Sequence, residues 1–231
     1  MNAPSLRARV RAELTEEILA VARRHLATDG ANLSLRAVAR DTGMVPSALY
    51  RYFPSRDALL TTLITDAYGA LASAALAAEA AVPRERLRDR WLALCHAVRG
   101  WAVEHPAEYA LIYGSPVPGY AAPEETTDPA AHVIHTLVRI LFDAAAAEEP
   151  APGRPLPEPV RADLERLLGQ ETDALPGSPP EAVLAVGFTL WTQLFGLINF
   201  EVFGRMNGLI EARQEYFDHQ AHVMADLAGL P

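Results

Sequence analysis

Residues 33–60, "LSLRAVARDTGMVPSALYRYFPSRDALL", contain two short stretches of helical pattern separated by a glycine turn. Ser34 is a suitable N-cap for the first stretch, "LRAVARD", and Gly43 ends it. Pro46 can begin a second helix over "PSALYRYF", and Pro54 closes it, since the residue before a proline disfavours helical geometry. A helix of about two turns is not stable alone in water, so neighbouring helices have to hold it.

Both neighbours of this stretch have the apolar spacing of helices. Before it, residues 6–28 carry one stripe and end at Gly30; after it, Ser55 caps a long helix. The stripe residues are Leu14, Ile18, Val21 and Leu26 in the first helix, and Leu59, Leu60, Leu63, Ile64, Ala67, Tyr68 and Leu71 in the long one. Leu49 and Phe53 can face these helices, which predicts a helix-turn-helix whose second helix enters the DNA major groove.

The remainder of the chain also predicts helices only. Ala, Leu, Arg and Glu dominate, apolar residues recur at helical spacing, and β-branched alternation is absent, so we expect an all-α fold. The predicted helices cover about 87–104, 107–114, 132–145, 160–170, 181–203 and 209–227, with a loop over 114–129 and a proline-rich linker over 148–159.

The predicted helix over 181–203 is apolar on two sides, which favours one face in its own core and one against a partner subunit. Its 18-residue apolar stretch reaches the lower limit for a membrane span, but polar residues such as Gln193 interrupt it, so we expect no membrane helix. The predicted homodimer interface consists of Leu190, Leu194, Leu197, Tyr216, Phe217 and Met224.

Charge is distributed unevenly along the 231 residues. Residues 1–56 contain nine arginines and five acidic residues, a net charge of +4, whereas the remainder has 11 arginines and 24 acidic residues, a net charge of −13. A basic N-terminal part is expected if only that part contacts a polyanion. The single cysteine, Cys95, excludes an internal disulfide, and the first 25 residues lack the apolar core of a signal peptide, so a cytoplasmic location is expected.

The stretch over 33–60 resembles the N-terminal domain of the TetR family of tetracycline-repressor-like transcriptional regulators, with its short recognition helix that ends in an aromatic pair. The resemblance covers about residues 10–65, and the later part matches the family in layout. Tyr52 and Arg56 stand where the family often has His and Lys, and both keep a hydrogen-bond donor. The resemblance implies a DNA-binding domain over 1–56 and an effector-binding and dimerisation domain over 57–231.

Carried over by position, the resemblance assigns nine residues to DNA. Arg36 would contact a base or a phosphate, and Arg51 is expected to contact guanine through two hydrogen bonds. Val45, Pro46 and Ser47 would also line base edges, and Ser34, Tyr50, Tyr52 and Arg56 would bind phosphates. Arg7, Arg9 and Arg11 either contact the DNA backbone or form a solvated terminus. The expected partners are double-stranded operator DNA and a small apolar effector that releases the protein, and no cofactor is expected.

Large aromatic residues could line an effector cavity of the kind that regulators in this family usually have: Trp91, Trp101, Tyr109, Tyr113, Phe142, Phe188 and Trp191. Ordinary core packing is the alternative for each of them. A subgroup of the family has a histidine where Phe195 stands, so no polar role transfers to that position.

Two other classes of protein remain open at this point. A metal-binding enzyme could use His132 with His135, or His219 with His222, but neither pair has a third ligand at motif spacing. A serine in "YGSPVPGY" lacks the context of a catalytic nucleophile, so no catalytic residue and no metal are expected. A constitutive DNA-binding dimer that senses nothing is the second alternative. A C-terminal region of this length exceeds what dimerisation needs, which favours a sensor.

Overall fold

The computed structural model describes residues 5–30, 32–123, 127–147, 154–169 and 180–231, without the side chains of 127–130 and 167–169. Within these ranges the chain forms helices and no strand, which confirms the predicted all-α class. The helices are α1 (Leu6–Asp29), α2 (Leu35–Asp41), α3 (Pro46–Leu49), α4 (Arg56–Ala80), α5 (Leu87–Glu104), α6 (Pro106–Tyr113), α7 (Thr127–Ala147), α8 (Glu158–Gly169), α9 (Glu181–Val202) and α10 (Arg213–Leu227).

Serine caps define where three of the first four helices begin. The Oγ atom of Ser5 accepts a hydrogen bond from Ala8 N at 3.3 Å, and that of Ser34 accepts one from Ala37 N at 3.4 Å. Ser55 caps α4 in the same way, with 3.0 Å between its Oγ and Ala58 N. Each bond satisfies one of the backbone N–H groups that a helix start leaves unpaired.

The recognition helix α3 is shorter than the predicted range of 46–53. Its regular part ends at Leu49, and residues 50–52 form a turn in which Arg51 N bonds to Ala48 O at 3.1 Å and Tyr52 N bonds to Leu49 O at 2.8 Å. The following Pro54 has no N–H group and disfavours helical geometry just before it, so the last turn tightens.

Other helix ends differ from their predicted positions because of proline and glycine residues. Helix α7 begins at Thr127 and includes Pro129 in its first turn, where the missing N–H costs nothing, so the predicted loop over 114–129 is three residues too long. Helix α10 begins at Arg213, because the chain turns first through Gly204 and Gly208, whose φ angles are 71° and 72°. The predicted linker over 148–159 lies partly outside the described residues, and α8 already begins at Glu158.

The chain divides into two compact units. The first contains the described residues of Met1–Gly69 and His105–Thr127, and the second those of Ala70–Glu104 and Asp128–Pro231, so α4 belongs to both. These units follow packing, whereas the division at residue 56 follows the extent of the DNA-binding motif and stays a prediction. The core of the first unit holds apolar residues of α1 to α4: Ile18, Leu19, Val21, Ala22, Leu26, Leu35, Val38, Leu49, Phe53, Leu59, Leu60 and Leu63.

The second unit is built on α5, α9 and α10, which pack against one another. Trp91 is fully buried, and its Nε1 donates a hydrogen bond to the backbone oxygen of Ala221 at 2.8 Å. Arg90 is also buried and bonds to Glu79 through Nε at 2.8 Å and to Asp143 through Nη1 at 2.8 Å. This ionic cluster connects α5 with α7 and with the C-terminal end of α4 inside the unit.

Two of the described helices, α4 and α9, are long and apolar enough to cross a membrane by length and composition. The same test is passed by core helices of soluble proteins, and about two fifths of each apolar window is buried inside the protein, 44% in α4 and 39% in α9. Two such helices are therefore weak evidence for a membrane span.

Candidate nucleic-acid interface

Helix α2, a glycine turn and α3 form the predicted helix-turn-helix. Gly43 has a φ of 68°, a backbone conformation that L-residues with side chains rarely adopt, and Met44 N closes the turn by bonding to Ala39 O at 2.8 Å. The inner face of α3 packs in the core of the first unit, since Leu49 is 0% exposed and Phe53 is buried. This confirms that these two side chains face inward.

The opposite face is open to solvent. Val45 is 64% and Tyr50 44% exposed, both unusually high for large apolar or aromatic side chains. Of the nine residues predicted to contact DNA, seven are exposed and two are half-buried: Ser34, Arg36, Val45, Pro46, Ser47, Tyr50 and Arg51 in the first group, Tyr52 and Arg56 in the second. The fold brings all nine into the stretch formed by α2, α3 and the start of α4.

Two of these side chains already have structural roles. The Oγ atom of Ser34 caps α2 as a hydrogen-bond acceptor. Its hydroxyl hydrogen can still rotate and donate a hydrogen bond to a phosphate. Arg56 lies 3.7 Å from the carboxylate of Asp57, a distance at which an exposed ion pair contributes little. Neither contact prevents an approach by DNA.

The helix-turn-helix is tied to α1 by contacts that the sequence pattern did not indicate. His25 Nε2 lies 2.8 Å from the Asp41 carboxylate at the end of α2, and Arg40 Nε lies 3.1 Å from the same carboxylate. The hydrogen bonds from Arg40 and His25 lower the pKa of Asp41. Closer to the N-terminus, Arg11 contacts the turn after α3, and no local sequence signal pairs residues 40 positions apart.

The seven aromatic residues predicted to line an effector cavity do not form one group. Tyr109 and Tyr113 belong to the first unit, with their ring centroids 5.1 Å apart, and burial raises the pKa of both hydroxyls. The other five lie in the second unit, where Trp91 and Trp101 are buried in its core and Phe142, Phe188 and Trp191 are half-buried. Core packing, which was the alternative, accounts for Trp91, Trp101 and Tyr109.

A cavity of about 1050 Å³ does exist in the second unit, with other walls. Its lining comes from the end of α7, the first half of α9, the end of α10 and the start of α5, and none of the seven aromatic residues belongs to it. The wall is mostly aliphatic, including Leu87, Leu141, Val183, Val186 and Leu227. Arg154, Glu181, Thr189 and Asp226 supply its polar groups. None of the seven aromatic residues lines this aliphatic cavity, and their assignment to an effector site stays a prediction.

The residues predicted to form the dimer interface lie mostly inside the protomer. Five of the six are buried where α5, α9 and α10 pack together, and Tyr216 is half-exposed; the buried ones are Leu190, Leu194 and Leu197 of α9 and Phe217 and Met224 of α10. The solvent-facing side of α9 instead carries Thr189, Thr192, Gln193, Phe200 and Phe203.

The histidine pairs were the sequence basis for a metal site. His132, His135 and His222 are half-buried and His219 is exposed. Across the described residues, no cluster of three or more His, Cys, Asp or Glu side chains could hold a metal ion.

A short helix with a buried inner face and an exposed polar and basic outer face, placed after a glycine turn, defines a helix-turn-helix DNA-binding protein. Residues 18–63 match the family model described as "Bacterial regulatory proteins, tetR family", and residues 91–224 match the model "Tetracyclin repressor-like, C-terminal domain". The chain belongs to the TetR family of transcriptional regulators, whose members are not enzymes.

Individual relatives agree with this assignment. The chain is 42% identical over 201 residues to the HTH-type transcriptional regulators Rv1816 of Mycobacterium tuberculosis and Mb1846 of Mycobacterium bovis, covering 84% of this chain and 83% of each relative. It resembles the crystal structure of SCO4313, a candidate regulatory protein, with a TM-score of 0.76, 31% identity and coverage of 97% and 100%. A tetR-family protein from Rhodococcus RHA1, 15% identical with a TM-score of 0.65, shares the fold over 94% and 97% of the chains.

Proposed function

We propose that this chain is a cytoplasmic, homodimeric repressor that binds a palindromic operator through α3 and leaves it when a small apolar effector binds the second unit. The observation that carries the proposal is the division of α3 into two faces. Leu49 is fully buried, while the side chains directly beside it, Ser47, Tyr50 and Arg51, are exposed. A four-residue helix and the turn after it, which together expose a tyrosine and an arginine, are suited to contacts outside the protein.

Arg51 is the residue we assign to base recognition. Its side chain is exposed at the end of α3, and a guanidinium can donate two parallel hydrogen bonds to O6 and N7 of guanine. Val45 and Pro46 at the start of α3 offer apolar contact to thymine methyl groups. Ser34, Tyr50, Tyr52 and Arg56 flank these residues and would fix the register through phosphates.

The test compares two arginines of different assigned role. Arg51→Ala should reduce operator affinity by about 1 to 3 kcal/mol and relax preference at one base position in each half-site. Arg56→Ala should weaken binding to all sequences alike and lower the salt slope of binding by about one phosphate contact. The DNA is the duplex that the wild-type protein enriches from a random library. If Arg51→Ala weakens that duplex and random DNA equally, its base-reading role is wrong.

Homodimerisation is proposed through the outward sides of α9 and α10. The outward side of α9 is broken by few charges and carries Phe200, which is 50% exposed, and Phe203. Symmetric dimers of this kind present two identical helix-turn-helix motifs to two half-sites, whose centres lie about 34 Å or a multiple apart.

Effector response is proposed through the aliphatic cavity of the second unit. Its volume of about 1050 Å³ is at the upper end of small-molecule sites, and its walls offer aliphatic packing without a described aromatic ring for stacking. We therefore expect a ligand with a flexible apolar body rather than a flat aromatic one. A tenfold preference per subunit for the state that binds DNA poorly is worth about 1.4 kcal/mol, so two ligands could weaken operator binding about a hundredfold.

Thermodynamic reciprocity provides the experiment. Fatty acids and acyl esters of increasing chain length would be titrated by calorimetry with and without operator duplex. If a ligand lowers the affinity of the protein for DNA by some factor, bound DNA must lower the affinity of the protein for that ligand by the same factor. Val186→Trp would fill part of the cavity and should abolish ligand heat while DNA binding persists. Equal ligand affinity in both titrations would exclude effector coupling and leave a constitutive DNA-binding dimer.

A further inference from the structure

We propose that Arg11, in the second turn of α1, is a positioning residue of the DNA interface, which holds the end of the recognition helix in the orientation that presents Arg51 and Tyr52. The inference rests on the proposed DNA contacts of those two residues. It replaces the role that the sequence pattern suggested for Arg11, that of a backbone contact or a solvated charge.

The end of α3 has an acceptor that its own backbone does not serve. Because Pro54 lacks an N–H group, the helical ladder stops at the turn over 50–52. The carbonyl oxygen of Arg51 accepts a hydrogen bond from Arg11 Nη2 at 3.3 Å. Arg11 thus supplies a charged donor at the C-terminal end of a short helix, where a cation is also favoured by the helix dipole.

The same guanidinium covers the next side chain. Its Cζ atom lies 5.1 Å from the centroid of the Tyr52 ring, within the range of a cation–π contact. A planar guanidinium can stack with its face and donate with its edge at once, which a lysine ammonium cannot do with the same geometry. One side chain therefore restrains both the backbone of Arg51 and the ring of Tyr52.

Arg11 is itself held by a rigid helix. Its backbone oxygen accepts from Thr15 Oγ1 at 2.9 Å, and one to two turns later Ile18 and Val21 are buried in the core of the first unit. Arg7 and Arg9 lie on the exposed first turns of the same helix, and within the described part of the chain neither side chain makes a hydrogen bond or an ion pair. This difference separates Arg11 from its neighbours and provides a matched control.

The experiment measures DNA binding by the full-length variants Arg11→Gln and Arg9→Gln, which remove the same charge from the same helix. Fluorescence anisotropy is recorded on the enriched duplex and on random duplex at several salt concentrations. We expect Arg11→Gln to lose about fivefold to tenfold in affinity for the enriched duplex, and to lose less on random DNA. Arg9→Gln should change the enriched duplex less than twofold.

The salt dependence distinguishes positioning from direct contact. Loss of one phosphate contact in each of the two subunits lowers the magnitude of the slope of log K against log salt by about 1.8, whereas loss of positioning leaves the slope unchanged. Arg11→Lys, which keeps the charge, should resemble Arg11→Gln. In a double-mutant cycle with Tyr52→Leu, the second substitution should add little, because the two side chains act as a pair.

Several results would overturn the proposal. They are equal losses for Arg11→Gln and Arg9→Gln, a slope whose magnitude falls by about 1.8 for Arg11→Gln alone, full rescue by Arg11→Lys, or additive losses in the cycle. Thermal unfolding of Arg11→Gln should match that of Arg9→Gln, and a large difference would assign Arg11 to stability. If Arg51→Ala also leaves the affinity unchanged, the proposed function fails with it; if Arg51→Ala is costly and Arg11→Gln is not, only the positioning role fails.

Discussion

Replacing Leu49 with alanine, and separately Tyr50 with alanine, tests whether adjacent residues of α3 serve the core and the DNA. Leu49 is the only buried residue of the helix and is 0% exposed, whereas Tyr50 is 44% exposed. The first substitution should therefore lower the free energy of unfolding, and the second should lower DNA affinity.

The size of the first effect follows from burial. Leu49→Ala removes the isopropyl group of the side chain, three carbons, worth about 2.4 kcal/mol at roughly 0.8 kcal/mol for each buried carbon. A cavity term adds to this, because Leu49 packs among apolar residues of α1, α2 and α4 that cannot all collapse into the space. We expect a total of about 3 kcal/mol. Tyr50→Ala should cost less than about 1 kcal/mol of stability, as exposed substitutions do.

The assay pairs urea unfolding, followed by circular dichroism, with anisotropy on the enriched duplex under the same buffer. Val45→Ala is the matched control for stability only, since Val45 is 64% exposed and caps the same helix, whereas its assigned base contact means that this variant should also bind DNA more weakly. Tyr50→Ala should weaken DNA binding about tenfold at unchanged stability, through loss of a phosphate contact and of packing against the sugar. The proposed division of roles is refuted if Leu49→Ala lowers the free energy of unfolding by less than 1 kcal/mol. It is also refuted if Tyr50→Ala lowers that free energy by as much as Leu49→Ala.

Three further outcomes are expected. Arg90→Met should lower stability by about 3 kcal/mol in thermal or urea unfolding, because it leaves the buried carboxylate of Glu79 with fewer donors; a loss below 1 kcal/mol would show that the cluster is solvated. Burial raises the pKa of Tyr109 and Tyr113, so their neutral forms contribute stability that is complete below about pH 10 and is lost as the pH rises through the folded-state pKa values. The unfolding midpoint of the wild type should fall between pH 9 and 11, and that of the double variant Tyr109→Phe with Tyr113→Phe should fall less. Identical pH profiles for the two proteins would contradict this. Phe200→Glu places charges in the proposed dimer contact and should yield monomers by light scattering at micromolar concentration, whereas a persistent dimer would locate the interface elsewhere.

Local signals in the sequence were sufficient for the DNA-binding motif. The N-cap at Ser34, the turn at Gly43 and the stop at Pro54 each act over about four residues, so α2 was predicted with its observed bounds of Leu35–Asp41. The inward direction of Leu49 followed from helical spacing alone. Only the last turn of α3 was overestimated, because the tightening before Pro54 depends on the geometry of the turn.

Distant contacts were beyond the sequence. The contact of Arg11 with the turn after α3 joins residues 40 positions apart, and nothing in the pattern distinguishes Arg11 from Arg7 or Arg9. The aliphatic cavity was not predicted either, because the end of α7 and the start of α9, which line it, are about 40 residues apart in the sequence and carry no shared local signal.

Helix α9 shows most clearly what each level decides. Its sequence determined that it is a long helix with two apolar faces, because the spacing of apolar residues is a property of the helix itself. Which face turns inward was decided only by packing: α5 and α10 cover the side with Leu190, Leu194 and Leu197, and the side with Phe200 remains outside. How far each apolar face is covered depends on the shape of the neighbouring helices, because the free energy of burial follows the area that those helices remove from water and not the composition of α9 alone.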